Sequence, residues 1–221
     1  MSDVALAHRP ALPSRALLWA ELLALFVGAP LLMTAFFGRY SLFAVLWLLA
    51  GVAAYLLWRT PEFRWRALLR GPVLGEWRLI AGFTLFTALI AAATAQTLVP
   101  HAFLWMPFGA PGLWVMIMLL YPPLSALPQE LIYRTLFFER YGRLFPSARA
   151  AVAANGALFG LGHLFYMNPL TIGATALAGA AFGWAYLRAG STLLSWALHA
   201  IGGMLVFTLG LGRFFYHGAV G

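Results

Sequence analysis

Among the six acidic side chains of this 221-residue chain, Glu130 alone lies deep within an apolar stretch. Arg134 follows it by four residues. On a helix that spacing puts both side chains on one face, where they can pair. Gln129 and Tyr133 form a second i,i+4 stripe, about 100° round the same helix. Two of the five histidines, His163 and His199, fall inside other apolar runs, whereas His8 and His217 are near the ends and His101 is in a loop. Phe159 and His163 form a further i,i+4 pair. An ionisable group within hydrocarbon costs a few kcal/mol or more and marks a functional position by default. A carboxylate with two imidazoles can activate a water, relay protons or hold a metal ion. A structural ion pair accounts for Glu130 and Arg134 taken alone, and a satisfied core residue accounts for a lone histidine. Three such groups in separate segments at similar depth favour a site. At helical rise, Glu130 is about 18 Å, His163 about 21 Å and His199 about 10 Å from the cytoplasmic boundary. Modest tilts would bring them into one cavity.

The elements that must position these residues are transmembrane helices. The chain is 63% hydrophobic and 9% charged, against about 45–50% and 25% in a soluble domain. So few charges cannot cover a water-soluble surface. The composition excludes a soluble globular protein, a disordered chain and a nucleic-acid-binding domain. The absence of cysteine excludes a disulfide scaffold, a thiolate nucleophile and cysteine metal sites. All fourteen basic residues are arginine, and a net charge of +8 reads as the positive-inside signal with attraction to anionic lipid.

A spanning helix needs about 20 apolar residues. Such runs occur at Ala16–Phe37, Ser41–Trp58, Leu79–Val99, Leu113–Phe138, Ala150–Tyr166, Leu170–Leu187 and Leu193–Leu211. The expected fold is an all-α polytopic bundle of about seven spans. Pro122, Pro123 and Pro128 interrupt the fourth run, which holds most of the polarity found within any span. The first run is too long for a signal-peptide core and reads as a retained span. With the N-terminus in the cytoplasm, eleven arginines fall inside, Arg39 and Arg213 fall outside, and Arg134 is in the membrane. This split predicts N-in, C-out. Residues 59–78 read as an amphipathic cytoplasmic loop whose Trp65 and Trp77 lie on the membrane surface. Three spans and this loop make up residues 1–112, and residues 113–221 form the helical core that carries the site, within one integrated membrane domain. There is no internal repeat. Gly156/Gly160 and Gly179/Gly183 permit close packing of the fifth and sixth spans.

The segment Gln129-Glu130-Leu131-Ile132-Tyr133-Arg134 resembles an EExxxR motif. Phe159-Gly160-Leu161-Gly162-His163 matches FxxxH, and His199 with Gly203 resembles HxxxN. Order and spacing are similar to those of the CPBP family, also called Abi or CAAX-protease-like intramembrane endopeptidases, which includes the Rce1 prenyl-protein proteases. The resemblance covers roughly residues 113–211. It implies a multi-pass cell-membrane protein, of bacterial inner-membrane type, that hydrolyses a peptide bond of a membrane-associated or lipidated peptide. Its partners are then membrane lipids and that peptide, with no nucleic acid. In the family a glutamate and a histidine activate water, while a second histidine and an asparagine stabilise the oxyanion. This chain departs twice: the first glutamate is Gln129 and the asparagine position is Gly203. Gln cannot accept a proton as a general base.

On this reading Glu130, alone or with His163, activates water, Arg134 orients the carboxylate and His199 donates to the oxyanion. Gln129 positions water or substrate, with Tyr133, Phe159 and Gly203 in support. No cofactor is expected. The alternative is a zinc ion on Glu130, His163 and His199, against which stand the arginine on the same carboxylate and the lack of HExxH spacing. Two other readings are a non-catalytic relative that binds a membrane or prenylated partner, and a proton-coupled transporter. The absence of an inverted repeat weighs against the transporter.

Overall fold

The computed structural model describes residues 13–36, 42–61, 63–71 and 73–215. Asp3, His8, Arg9, Arg39, Glu62 and His217 lie outside them. In hydrocarbon every backbone amide must find its partner within the chain, and each apolar run becomes a helix. These are α1 (Arg15–Phe36), α2 (Leu42–Trp58), α3 (Trp77–Leu98), α4 (Pro111–Leu144), α5 (Ala148–Leu161), α6 (Pro169–Ala189) and α7 (Thr192–Thr208). The chain is an all-α membrane bundle, with no strand among the described residues. The helices are unequal in length. α1, α4, α6 and the stretch that ends in α3 are long and apolar enough to cross a membrane, whereas α2 and α7 are shorter. α5 has 14 residues, about 21 Å at helical rise, which is short of a hydrocarbon core about 30 Å thick.

Side chains start four of the helices. Ser14, Ser147, Asn168 and Ser191 accept backbone N–H groups from the first turns of α1, α5, α6 and α7. Each such cap contributes about 1 kcal/mol. α6 ends at Gly190, whose φ of 58° is a left-handed conformation that glycine adopts without a Cβ penalty.

α4 does not break at its prolines. A proline lacks an N–H and its ring collides with the carbonyl four residues back. The helix answers by widening: over Pro122–Ala126 the bonding becomes i to i+5, and the Leu127 N–H reaches the Pro122 carbonyl. The same carbonyl accepts from Trp196 Nε1 of α7 at 2.8 Å. A second wide stretch, Leu131–Tyr141, follows. Such insertions relieve the clash while keeping backbone groups paired.

α5 and α6 form the close hairpin that their glycines predict. A Cβ on Gly156 would press on the Ala176 carbonyl and on Ala180, and one on Gly160 would press on Ala176 and the Ile172 carbonyl. Gly179 admits the Phe159 side chain in the same way. α1 packs on α4 through Phe26, whose ring is edge-on to Tyr133, Phe137 and Tyr141.

Two expectations need correction. His163 does not lie within a fifth helix that runs to Tyr166, because α5 ends at Leu161. The His163 ring Nδ1 bonds the Phe159 carbonyl at 2.8 Å, which is the acceptor its backbone N–H would have used. That N–H turns to Gly160 instead, at 3.0 Å. Secondly, Arg140, counted above among the cytoplasmic arginines, is not a free surface charge but is paired with Glu21. Arg140 is buried and donates through Nε and Nη2 to both Glu21 oxygens at 2.8 and 3.0 Å. Thr60 and the Leu56 carbonyl accept from its remaining nitrogen. Tyr141 donates to the same carboxylate. This second ion pair ties α1, the end of α2 and α4 together.

The hairpin generates the first prediction. Gly156→Val should lower the unfolding temperature of the detergent-purified protein, at a cost of about 1–3 kcal/mol for overpacking. Gly82→Ala, where a Cβ meets no neighbour within 4 Å, should leave it unchanged.

Candidate active site

Glu130 and Arg134 have no exposed surface. They form an ion pair one turn apart, Nη2 to Oε1, at 3.3 Å. His199 reaches the same Oε1 from α7, its Nδ1 donating at 2.8 Å. The guanidinium carbon is 4.5 Å from the Phe159 ring centroid and 5.3 Å from that of Phe182. A planar, weakly hydrated cation suits two aromatic faces. The His199 ring stacks on Phe182 at 5.1 Å and meets Phe159 edge-on at 5.4 Å. One carboxylate oxygen, one arginine and one imidazole thus share a compartment with aromatic walls.

In front of it lies a cavity of about 770 Å³. Gln129, Tyr133, Phe159, His163, His199 and Gly203 all line it. Glu130 and Arg134 do not, and stand behind the wall. Tyr121, Ser125 and Phe182, to which the sequence reading gave no role, line it as well. The other walls are apolar and come from α1, α2, α3 and α6. Phe43 of α2, Phe86 of α3 and Leu177 of α6 border the cavity and are exposed at the bundle's surface, where lipid tails would lie.

The two histidines are held differently. Nδ1 of His163 faces a carbonyl, which can only accept, so Nδ1 carries the proton and the neutral ring has its lone pair on Nε2. Nδ1 of His199 faces a carboxylate, which accepts from it and fixes the ring's orientation, leaving Nε2 toward the cavity. Phe159 separates the two rings, edge-on to His163 at 4.8 Å. The Tyr133 ring backs Phe159 at 5.0 Å, and its hydroxyl fills the space that a side chain at Gly162 would need. Gln129 donates from Nε2 to Ser125 Oγ at 3.1 Å. Its Oε1 remains an acceptor on the cavity wall.

The zinc set Glu130, His163 and His199 does not gather. Among the described residues no three His, Asp or Glu side chains are grouped to hold a metal ion. Oε1 of Glu130 is engaged by Arg134 and His199, Oε2 is buried without a hydrogen-bond partner among the described residues, and His163 packs on the other side of Phe159 from His199.

A polytopic helical bundle with a buried carboxylate–imidazole pair behind an apolar cavity defines the class: a multi-pass membrane protein. Residues 110–205 match the family described as Type II CAAX prenyl endopeptidase Rce1-like. The matched stretch includes every motif residue from Gln129 to Gly203, and over it the chain is similar to the CPBP family. No curated protein and no solved structure matches the chain.

Two of the unforeseen residues leave a faint mark in the sequence. Tyr121 is the hydroxyl immediately before the Pro122-Pro123 pair, and Ser125 lies one turn before Gln129. Phe182 leaves none, being one aromatic in an apolar helix.

Removing one partner of a buried ion pair leaves an uncompensated charge. Arg134→Met should therefore destabilise the fold by about 3–5 kcal/mol, measured as thermal unfolding in detergent. The double variant Glu130→Gln/Arg134→Met, which removes both charges, should recover most of that loss.

Proposed function

We propose that the chain is an intramembrane endopeptidase that hydrolyses a peptide bond of a membrane-associated or lipidated peptide, with histidine-activated water as the nucleophile. The observation that carries this reading is the pair of imidazoles on one cavity wall, His163 anchored through Nδ1 to a backbone carbonyl and His199 anchored through Nδ1 to a buried carboxylate. The Rce1-like family match supports the same reaction class. The cavity's size suits a ligand of a few hundred Å³, and its apolar walls suit an acyl or isoprenoid chain beside the peptide. The arginine distribution supports a multi-pass cell-membrane protein with its N-terminus in the cytoplasm.

In the proposed reaction a water bonded to His163 Nε2 and to Gln129 Oε1 attacks the scissile carbonyl carbon. Its proton passes to His163 as the C–O bond forms. The carbonyl π electrons move onto oxygen, and the His199 Nε2–H donates to that oxyanion. Collapse breaks the C–N bond, and His163 returns the proton to the leaving amine. Glu130 never touches the water in this scheme: it holds the His199 ring and balances its charge, as Arg134 balances Glu130.

One observation favours a second reading, a non-catalytic relative that binds a lipidated partner. The residue on the cavity wall at the position of the family's first glutamate is Gln129, already bonded to Ser125, and the deep carboxylate lies out of reach behind the wall.

Purified protein in liposomes, given a fluorogenic peptide with a C-terminal lipid, separates the two. The endopeptidase reading expects cleavage by wild type and a drop in rate of about 10²–10⁴-fold for His163→Ala and for His199→Ala. Gln129→Glu, which adds a base beside the water, should raise the rate. If His163→Ala cleaves as fast as wild type, the assignment fails. An inert wild type together with an active Gln129→Glu establishes the binder.

A further inference from the structure

The position four residues after His199 is Gly203, which has no side chain with which to help the imidazole hold an oxyanion. The space that such a side chain would occupy is filled. A Cβ built on Gly203 would fall within the Tyr121 ring, next to the phenolic oxygen. The aromatic ring of α4 lies directly over the Gly203 Cα of α7, and glycine is the residue that permits this approach. Tyr121 also lines the cavity that His163, His199 and Gln129 share. Its ring is 6.1 Å from that of His199 and edge-on, and 5.7 Å from that of Phe207 on its other side. Its hydroxyl has no hydrogen-bond partner among the described residues.

The placement is fixed by neighbouring backbone. Tyr121 precedes Pro122, whose carbonyl is the acceptor for Trp196 of α7. Trp196 lies three residues before His199 on the same helix. The joint that aligns α4 with α7 therefore also sets the phenol against the His199–Gly203 turn.

We propose that the Tyr121 hydroxyl is the second donor to the oxyanion, working beside His199 Nε2–H from the space that Gly203 leaves open. This rests on the endopeptidase reading and adds a catalytic residue to it. A phenol O–H is a competent donor for such a site: it is neutral, directional and borne on a rigid ring. In this chain Tyr121 and Gly203 act as a unit, the glycine making room for the hydroxyl that replaces a side chain at 203.

The experiment measures cleavage of the lipidated peptide by wild type, Tyr121→Phe, Tyr121→Ala, Gly203→Asn and Tyr121→Ala/Gly203→Asn in liposomes. Tyr121→Phe keeps the ring and removes one donor. It should lower kcat by about 10²–10³-fold and leave KM and the unfolding temperature unchanged. A phosphonate analogue of the tetrahedral intermediate should lose affinity by the same factor, whereas the intact peptide's affinity should hold. Gly203→Asn alone collides with the ring and should be inactive. Tyr121→Ala/Gly203→Asn, with an amide in the vacated space, should exceed Tyr121→Ala in kcat. A wild-type kcat in Tyr121→Phe overturns this inference and leaves the endopeptidase reading standing. A wild type inert toward the peptide overturns both.

Discussion

A carboxylate and a guanidinium with no exposed surface are stable together only if each is held by the other and by well-placed neighbours. Moving either ion from water into a protein interior costs several kcal/mol, and good geometry must offset that. Here the Glu130–Arg134 pair draws on three further elements. α7 supplies His199, α5 supplies the face of Phe159, and α6 supplies that of Phe182. Those rings reach the guanidinium only because the helices behind them approach closely. Gly179 lets Phe159 in, and Gly156 and Gly160 bring the α5–α6 hairpin together. The small residues of the hairpin and the charged residues of α4 are thus parts of one requirement.

The same pair also divides labour in the site. The buried charge stays behind the wall, and the polar groups that face the cavity are two imidazoles, one amide and several hydroxyls, Tyr121, Ser125 and Tyr133 among them. In the proposed reaction the carboxylate acts at second hand through His199. A negative charge facing an apolar cavity would have to be solvated there, whereas one shared between an arginine and a histidine is already compensated. The departure at Gln129 fits this arrangement, since the wall then carries an amide where a second carboxylate would repel Glu130.

The helical class and the positions of seven helices were legible in the sequence, because a run of apolar residues in lipid has few alternatives to a helix. The i,i+4 spacing of Glu130 and Arg134 located their pair, and charge scarcity singled it out. Four features were not legible, each for a definite reason. Glu21 and Arg140 are 119 residues apart, and nothing local joins them. α5 ends early because the His163 side chain captures a carbonyl that its backbone would have taken, a competition invisible to hydropathy. Tyr121 is an ordinary aromatic by composition, and its place over Gly203 depends on how two helices cross. The prolines of α4 read as a break and are instead absorbed by a wider turn.

That wider turn reaches beyond α4 itself. Trp196 bonds to the Pro122 carbonyl, and three residues later His199 bonds to Glu130. Two anchors near one another on α7 therefore meet two well-separated points on α4. Sliding α7 along its axis by one turn, about 5.4 Å, would lose both bonds together and leave a buried carboxylate short of a partner. The double proline so acts as a stop that fixes the axial register of the two helices. It excludes the slipped arrangements that smooth apolar surfaces would otherwise allow.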